Sequence, residues 1–505
     1  MKKIIILLFI FATTNMWCHA DTCIVDGIRY YFWPVEGNDT CAVYSLWDYD
    51  YSGYTGDIII PEEVELKSAY DNVVKKYKVT WLWSGAFENS TITSIKLPNS
   101  IRGIGSTAFS GVKSLTSIDL PESLTYIGYR AFSGSGITSF DIPQNVTYIG
   151  ASAFSGTAIT SISLPDNITT IGEQAFSGCA YLKTIHLPSE LQDIGYGTFW
   201  NCVSLQEIEI PDNVTSIGTM AFQNCYDLQT VRFGKKLQRI GQAAFFQCTS
   251  LNDIVIPDNV LEIKSSAFYY SGVKTVNIGN GVTILPNSIF YGCDSLRSVI
   301  IGNNVDSIMP NAFTRCISLK TITIPDKVKF IGGNAFWWCD SLTAVFNCEG
   351  VDSIGKDAFG YNRQLRWVEL GSKLRNVHQD AFSYTDSVRV VVSRIQNPED
   401  VQVHLSSDTL FVPVGTRDKY IAVESWSHYW DFYKQIYPTY EDYAKSPGAR
   451  VIIEGEPTVG IRTTSTEDAK EVARYDLNGR RISKPIRGLN LIRMSNGTTR
   501  KVIVK

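Results

Sequence analysis

LTSIDLPESLTYIGYRAF, residues 115–132, is followed by ITSFDIPQNVTYIGASAF, residues 137–154. The phrase ends on an anchoring Phe, usually after Ala. It recurs at Phe87, Phe109, Phe132, Phe154, Phe176, Phe199, Phe222, Phe245, Phe268, Phe290, Phe313, Phe336, Phe359 and Phe382. Every interval is 22 or 23 residues. One such unit cannot bury its own apolar side, so self-similarity at this period predicts stacked units that share a continuous core.

Each repeat divides into three strokes. The first, L-x-x-I-x-L, alternates as a strand does; in Leu115, Ile118 and Leu120 the apolar residues point inward and Asp119 points out. A Pro or Gly follows at once, as in Leu120-Pro121 or Ile278-Gly279, and stops the strand. The second stroke, V-x-x-I-G, ends at a Gly that serves a left-handed or a crowded backbone. The third, A-F, supplies the largest apolar volume. Stacked copies predict a solenoid. It is a curved rod with a parallel β-sheet on one face and short irregular or β returns on the other. About fourteen rungs extend roughly 65 Å along the stack.

The flanks frame this array. Residues 1–20 carry Lys2 and Lys3 and then the apolar run Ile4 to Ala12, too short to cross a bilayer. With Cys18-His19-Ala20 before Asp21 they predict a secretory signal peptide. Trp17 before Cys18 disfavours a lipoprotein anchor. Residues 21–80 form an N-terminal β-rich cap, 81–395 the solenoid and 396–445 a C-terminal cap with the aromatic run Tyr420 to Tyr433. Residues 446–470 are expected to be a linker, and 471–505 a small, basic, β-rich module with a hairpin turn at Asn478-Gly479. No later stretch has the length and apolarity of a transmembrane helix.

Removing the signal leaves 44 basic (46 − 2) and 50 acidic residues, a formal charge of −6. Lys470 to Lys505 holds ten basic and two acidic residues, +8, so the remainder carries −14. This is not the basic footprint of a nucleic-acid binder. Cys179, Cys202, Cys225, Cys248, Cys293, Cys316 and Cys339 each lie three residues after an anchor Phe. That periodicity predicts a buried ladder of free thiols acting as small hydrophobes. Cys23 and Cys41 lie outside the ladder, in an exported segment, and are a candidate disulfide. Cys348 has no evident partner.

The phrase L-x-x-I-x-L-P-x-x-V-x-x-I-G-x-x-A-F-x-x-C resembles the BspA-type leucine-rich repeat, and residues 182–202 and 205–225 match it closely. The lead-in Gly56-Asp57-Ile58-Ile59-Ile60-Pro61 and the close Phe411-Val412-Pro413-Val414-Gly415-Thr416 are similar to that family's framing segments. The tail, with Tyr475-Asp476-Leu477-Asn478-Gly479-Arg480, is similar to C-terminal sorting modules of secreted Bacteroides-type proteins, though shorter. The resemblance implies a surface-exposed protein that mediates adhesion to matrix proteins or to other cells. It carries no fixed ligand-binding set.

Candidate binding residues therefore come from the outward row of the sheet, Lys96 to Glu369. Glu207, Glu209 and Asp253 around Arg232 predict a mainly acidic patch. Ile300, Phe346 and Trp367 predict an apolar one, and exposed apolar clusters often mark contacts. Asp48-Tyr49-Asp50-Tyr51-Ser52-Gly53 imitates the start of a calcium loop, but the twelfth position is Ile59, so it is expected to be a turn. Asn145-Val146-Thr147 and Asn213-Val214-Thr215 match a glycosylation acceptor, but recur because the repeat needs a turn there. His186, His378, His404 and His428 form no motif, and no catalytic or metal constellation, CxxC or phosphate loop is present. The expectation is a non-enzymatic, cofactor-free secreted or cell-surface protein that binds host or bacterial surface macromolecules, matrix protein or glycan. The alternative is a structural spacer.

Overall fold

The computed structural model describes residues 17–19, 22–32, 39–46, 53–67, 74–405, 407–427, 451–455, 457, 471–475, 481–482, 484, 488–494 and 499–504. Most of the expected signal segment, the acidic turn at 48–52, His428, the aromatic run beyond it and the Asn478-Gly479 turn lie outside the described residues. The chain is a parallel β-solenoid and forms two units: Met1–Leu251 with Lys264–Ser271, and Asn252–Ile263 with Gly272–Lys505.

In the first unit, three columns of backbone hydrogen bonds tie each rung to the next. Face strands pair in parallel, with Ile162 opposite Ile185 and Ile208 opposite Val231. A narrower ladder runs through the second stroke, where Tyr126–Ile127 pairs with Gly103–Ile104 and with Tyr148–Ile149. At the third corner the amide of each anchor Phe donates to the residue before the next anchor: Phe132 to Ala153 at 2.8 Å and Phe222 to Ala244 at 2.8 Å. Inside, the rings from Phe87 to Phe268 form a stack, with centroids 5.2 Å apart at Phe199–Phe222 and again at Phe222–Phe245. The anchor rings, the inward Ile and Leu and the ladder cysteines are buried, so the expected inward set is the observed core.

In most rungs the recurring Gly of the second stroke is there for lack of room, Gly195 being an exception with nothing nearer than 3.6 Å. A Cβ on Gly150 would stand 2.6 Å from the backbone of Gly128, and one on Gly172 would stand 2.3 Å from Gly150 and Ala151. Left-handed backbone occurs elsewhere, two residues before and two after the anchor Phe, as at Arg130 (φ 52°) and Gly134 (φ 66°). The later position is Gly or Asn in most rungs of this unit. Such residues tolerate a conformation that costs other L-residues about 1–2 kcal/mol.

The cysteines do more than fill space. Each thiol in the run donates to the carbonyl of the anchor Phe one rung back, Cys225 to Phe199 at 3.2 Å and Cys248 to Phe222 at 3.1 Å. Burial pushes the Cys179 thiol up to about 11, and holds Cys202 and Cys225 well above the ordinary thiol range. They are protonated donors, hence poor nucleophiles.

Ahead of the repeats, Trp17–His19, Thr22–Val25, Ile28–Phe32 and Thr40–Tyr44 form an antiparallel run. Thr40–Tyr44 then pairs in parallel with Val74–Leu82, which leads into the second-stroke ladder at Trp81 opposite Gly103. The expected Cys23–Cys41 bridge is not formed: Cys41 is a free, buried thiol. Cys23 and Cys41 lie on strands separated by Ile28–Phe32. Two strand spacings, roughly 9.5 Å, exceed the reach of a disulfide. Cys23 is disulfide-bonded, and the strand register sets Cys18 opposite it.

The second unit repeats the scheme. Its rings Phe290, Phe313, Phe336, Phe359 and Phe382 stack at 5.1–5.4 Å. At the ladder position Asn362 replaces cysteine. Its amide donates to Phe336 O at 2.9 Å and Phe359 O at 2.8 Å, and its carbonyl accepts from Cys339 N at 2.8 Å. Beyond the repeats, Val390–Ser393, Thr409–Val412 and Val451–Glu454 add three parallel strands. The last falls inside the expected linker, 446–470, which is corrected here: Val451-Ile452-Ile453 is a β-branched run with an in-register partner. Buried Tyr420 donates to Ile395 O at 2.7 Å, and Trp426 donates to Val401 O at 3.0 Å. Near the C-terminus, Arg481–Ile482, Glu471–Tyr475, Gly488–Met494 and Thr499–Val504 form an antiparallel sheet in that order.

Candidate binding surface

On the first unit the outward sheet residues line an open trough of about 580 Å³. Alternation along the strands makes it. Ile162, Ile185 and Ile208 point into the core, while the residues on either side of each point out. One column of the trough reads Ser139, Ser161, Thr184, Glu207, Thr230; the other reads Asp141, Ser163, His186, Glu209, Arg232. The register sets Glu207 opposite Thr230 and Glu209 opposite Arg232. Glu207, Glu209 and Arg232 are all exposed. No ion pair within 4 Å joins any of them to another described residue. The structure thus brings together three of the four residues expected in the acidic patch, and adds Asp141, His186 and the hydroxyls. Asp253 is exposed on the second unit.

On the second unit the expected apolar patch is not exposed. Ile300, Phe346 and Trp367 are each half-buried. Trp367 lies between Ala344 and Val390 in the strand register, and its indole Nε1 donates to Glu369 Oε1 at 3.2 Å. Glu369 in turn accepts from Asn347 N at 2.9 Å and faces Arg394 Nη1 at 3.8 Å. Those interactions hold the ring against the sheet. The exposed apolar residue of this face is Val255, 62% accessible. A larger concavity, about 1030 Å³, lies along the second-stroke ladder, where Asp306, Lys329, Asp352 and Arg375 alternate in sign. Sequence reasoning missed it, although the alternation stands at a fixed 23-residue offset.

The Asn-x-Thr triplets are structural in geometry. Asn145 Nδ2 donates to Glu122 O at 2.7 Å and Asn213 Nδ2 to Ser189 O at 3.0 Å, each binding the rung before it. Among the described residues, no group of three or more His, Cys, Asp or Glu is placed to hold a metal. No helix among them is long and apolar enough to cross a membrane. What the sheet face offers is an extended row of hydroxyls and unpaired charges at strand spacing, suited to many small contacts over a long surface.

The family model for the BspA type leucine rich repeat region matches in six copies over residues 80–185, 147–274 and 261–389. A search of curated proteins found no match. Among solved structures, a leucine-rich repeat protein from Bacteroides ovatus is 29% identical with a TM-score of 0.64, covering 73% of this chain and 94% of its own. A leucine rich cell surface protein from Faecalibacterium prausnitzii is 21% identical, with a TM-score of 0.43 and coverage of 74% and 94%. The pneumococcal vaccine antigen PcpA is 18% identical, with a TM-score of 0.42 and coverage of 87% and 100%. The matched repeats span most of the chain, with the same anchor residues that build the rungs described above, and the chain belongs to the BspA-type leucine-rich repeat family.

Proposed function

We propose that the protein is a secreted or cell-surface adhesin that holds a macromolecule of a host or bacterial surface against the sheet face of its first unit, with no chemistry performed on the bound partner. The supporting observation is the trough itself. Glu207 and Glu209 project from one strand, exposed and in no ion pair within 4 Å among the described residues, beside Asp141 in the same concavity. Solvated carboxylates held in register cost little while free and gain Coulomb energy when a basic protein segment is laid along them. Charges arranged this way steer encounter and set specificity. The surface location is supported by the signal-like start and by the family. The basic stretch 471–505 then serves in sorting or attachment at an anionic outer surface.

The test is binding of the full chain to immobilised matrix proteins, mucin and whole bacteria, beside the double variant Glu207→Lys, Glu209→Lys. We expect binding that weakens with salt and falls about tenfold in the variant, the scale of two rim charge contacts. Equal binding by the variant discards the trough. No binding by the native chain leaves the spacer reading, in which the repeats are a stalk and the ends do the work.

A further inference from the structure

The left-handed position two residues after each anchor Phe changes character along the chain. In the first unit it holds Asn89, Gly111, Gly134, Gly156, Gly178, Asn201 and Asn224 before Gln247 and Tyr270. In the second unit only Gly292 is of the tolerant kind. Arg315 (φ 60°), Trp338 (φ 57°), Tyr361 (φ 58°) and Tyr384 (φ 56°) follow it. Large side chains at a backbone position that favours Gly or Asn are a strained choice, made four times in succession. Rung stability does not require it, because seven of the nine rungs of the first unit are built with Gly or Asn there.

What these four rungs gain is a surface. Trp338 is 41% and Tyr384 62% accessible. Arg315 lies over the Trp338 ring at 5.4 Å, and Trp338 Nε1 donates to Asp340 Oδ2 at 3.0 Å, so the indole is held from both ends. Tyr361 and Tyr384 have centroids 4.3 Å apart and are tilted by 35°. The buried Phe rings of this unit, by contrast, lie within 19° of parallel. The tilt and the exposure leave the Tyr384 face open.

Beside the rings runs a second column, four residues after each anchor: Asp340, Arg363 and Asp386. None of these three forms an ion pair with a described residue. Asp340 is taken up in holding the indole, while Arg363 and Asp386 are exposed and carry planar groups that bond in pairs, one donor and one acceptor. An aromatic face flanked by such groups suits a pyranose ring, whose apolar C–H face stacks while its adjacent hydroxyls are held two at a time. Arg315 and Arg363 balance Asp340 and Asp386, so a charged polymer gains nothing from the patch that a neutral one lacks. A protein anchor needs a desolvated pocket, and the 1030 Å³ groove of this unit shares none of these residues. We propose that the Trp338–Tyr361–Tyr384 corner is a binding site for a neutral polysaccharide chain. It is separate from the sheet face, and does not rest on the reading given to that face.

The experiment is native affinity electrophoresis of the full chain in gels containing mannan, xylan, mixed-linkage β-glucan or dextran, with polygalacturonate as the charged comparison. The variants are Trp338→Asn with Tyr384→Asn, and Tyr181→Asn as an exposed aromatic on the first unit, 62% accessible. Asn is the residue that three rungs already use at this position, so the double variant is expected to melt at or above the native temperature. Expected is retardation of the native chain by at least one neutral polysaccharide, retained in Tyr181→Asn and weakened about tenfold in the double variant, as for the loss of two ring contacts. Retardation by none of the neutral polymers, retardation by polygalacturonate alone, or retardation unchanged in the double variant overturns the proposal. Glu207→Lys, Glu209→Lys run in the same gels should behave as native. That keeps failure at this corner distinct from failure at the trough.

Discussion

Replacing Phe222 with Ala removes one ring from the interior of a stack. Phe222 is 0% accessible and lies 5.2 Å from both Phe199 and Phe245, at interplanar angles of 12° and 4°. Losing the side chain forfeits about 1.5–3 kcal/mol of transfer free energy. Each of the two stacked pairs adds about 0.5–1.5 kcal/mol. Together these bracket the 3–5 kcal/mol typical of a Phe truncated in a core that cannot collapse. Rungs tied to their neighbours by three columns of backbone bonds have little freedom to close the gap. Because each rung touches only its neighbours, the damage should stay local. Amide exchange should speed up around Phe199 and Phe245 and stay unchanged around Phe109. Phe382 provides the calibration: it has one stacked partner, Phe359 at 5.3 Å, and is 4% accessible. Its truncation should cost about 1 kcal/mol less. Urea unfolding measures the loss and hydrogen exchange its extent. A Phe222→Ala protein within about 1 kcal/mol of native, well short of a core truncation, would refute the ring-stack account, as would exchange that rises uniformly along the chain.

Two further predictions concern the ladder beside those rings. Asn362→Leu should destabilise by about 2–4 kcal/mol, since it strands the Cys339 amide and two Phe carbonyls, whereas Asn362→Cys restores the donor used by neighbouring rungs and should cost about 1 kcal/mol; equal urea midpoints for the two would sink this. The buried thiols also make stability depend on pH. Their folded pKa is raised above the ordinary value of 9.0, so their contribution is whole below pH 9 and declines as pH climbs toward the folded value, about 11 for Cys179. Over that window each such thiol removes about 1.4 kcal/mol per pH unit. The urea midpoint should therefore fall across it, less steeply in Cys179→Ala, and a flat profile would contradict the protonated ladder.

The anchor Phe and the I-x-L alternation made the rungs legible in the sequence because period and apolarity are both one-dimensional signals. What the sequence could not show was anything decided by the distance between rungs. Gly150 and Gly172 looked like turn residues of either kind; the backbone of the preceding rung settles it as crowding. The left-handed positions escaped notice because Arg130 or Trp338 gives no hint of positive φ. Cys23 and Cys41 were close in sequence and in compartment, yet a strand separates them. Trp367 stood on the correct side of its strand, but its hydrogen bond to Glu369 draws it down onto the sheet. Glu207, Glu209 and Arg232 were found because outward position follows from alternation alone. The hydroxyls that share their trough were less visible, being the commonest residues of the row.

The three hydrogen-bonded columns have a consequence for inheritance. In the first unit successive rungs present amides and carbonyls to their neighbours at the same three places, so a whole repeat gained or lost there leaves two surfaces that still fit. Gain or loss of whole repeats can then lengthen or shorten the protein in steps of 22 or 23 residues with the core intact. A partial step would put Gly, Phe and Cys out of line at once. Length in such a chain is a heritable variable with a built-in ruler, while the outward residues of each rung remain free to diverge independently.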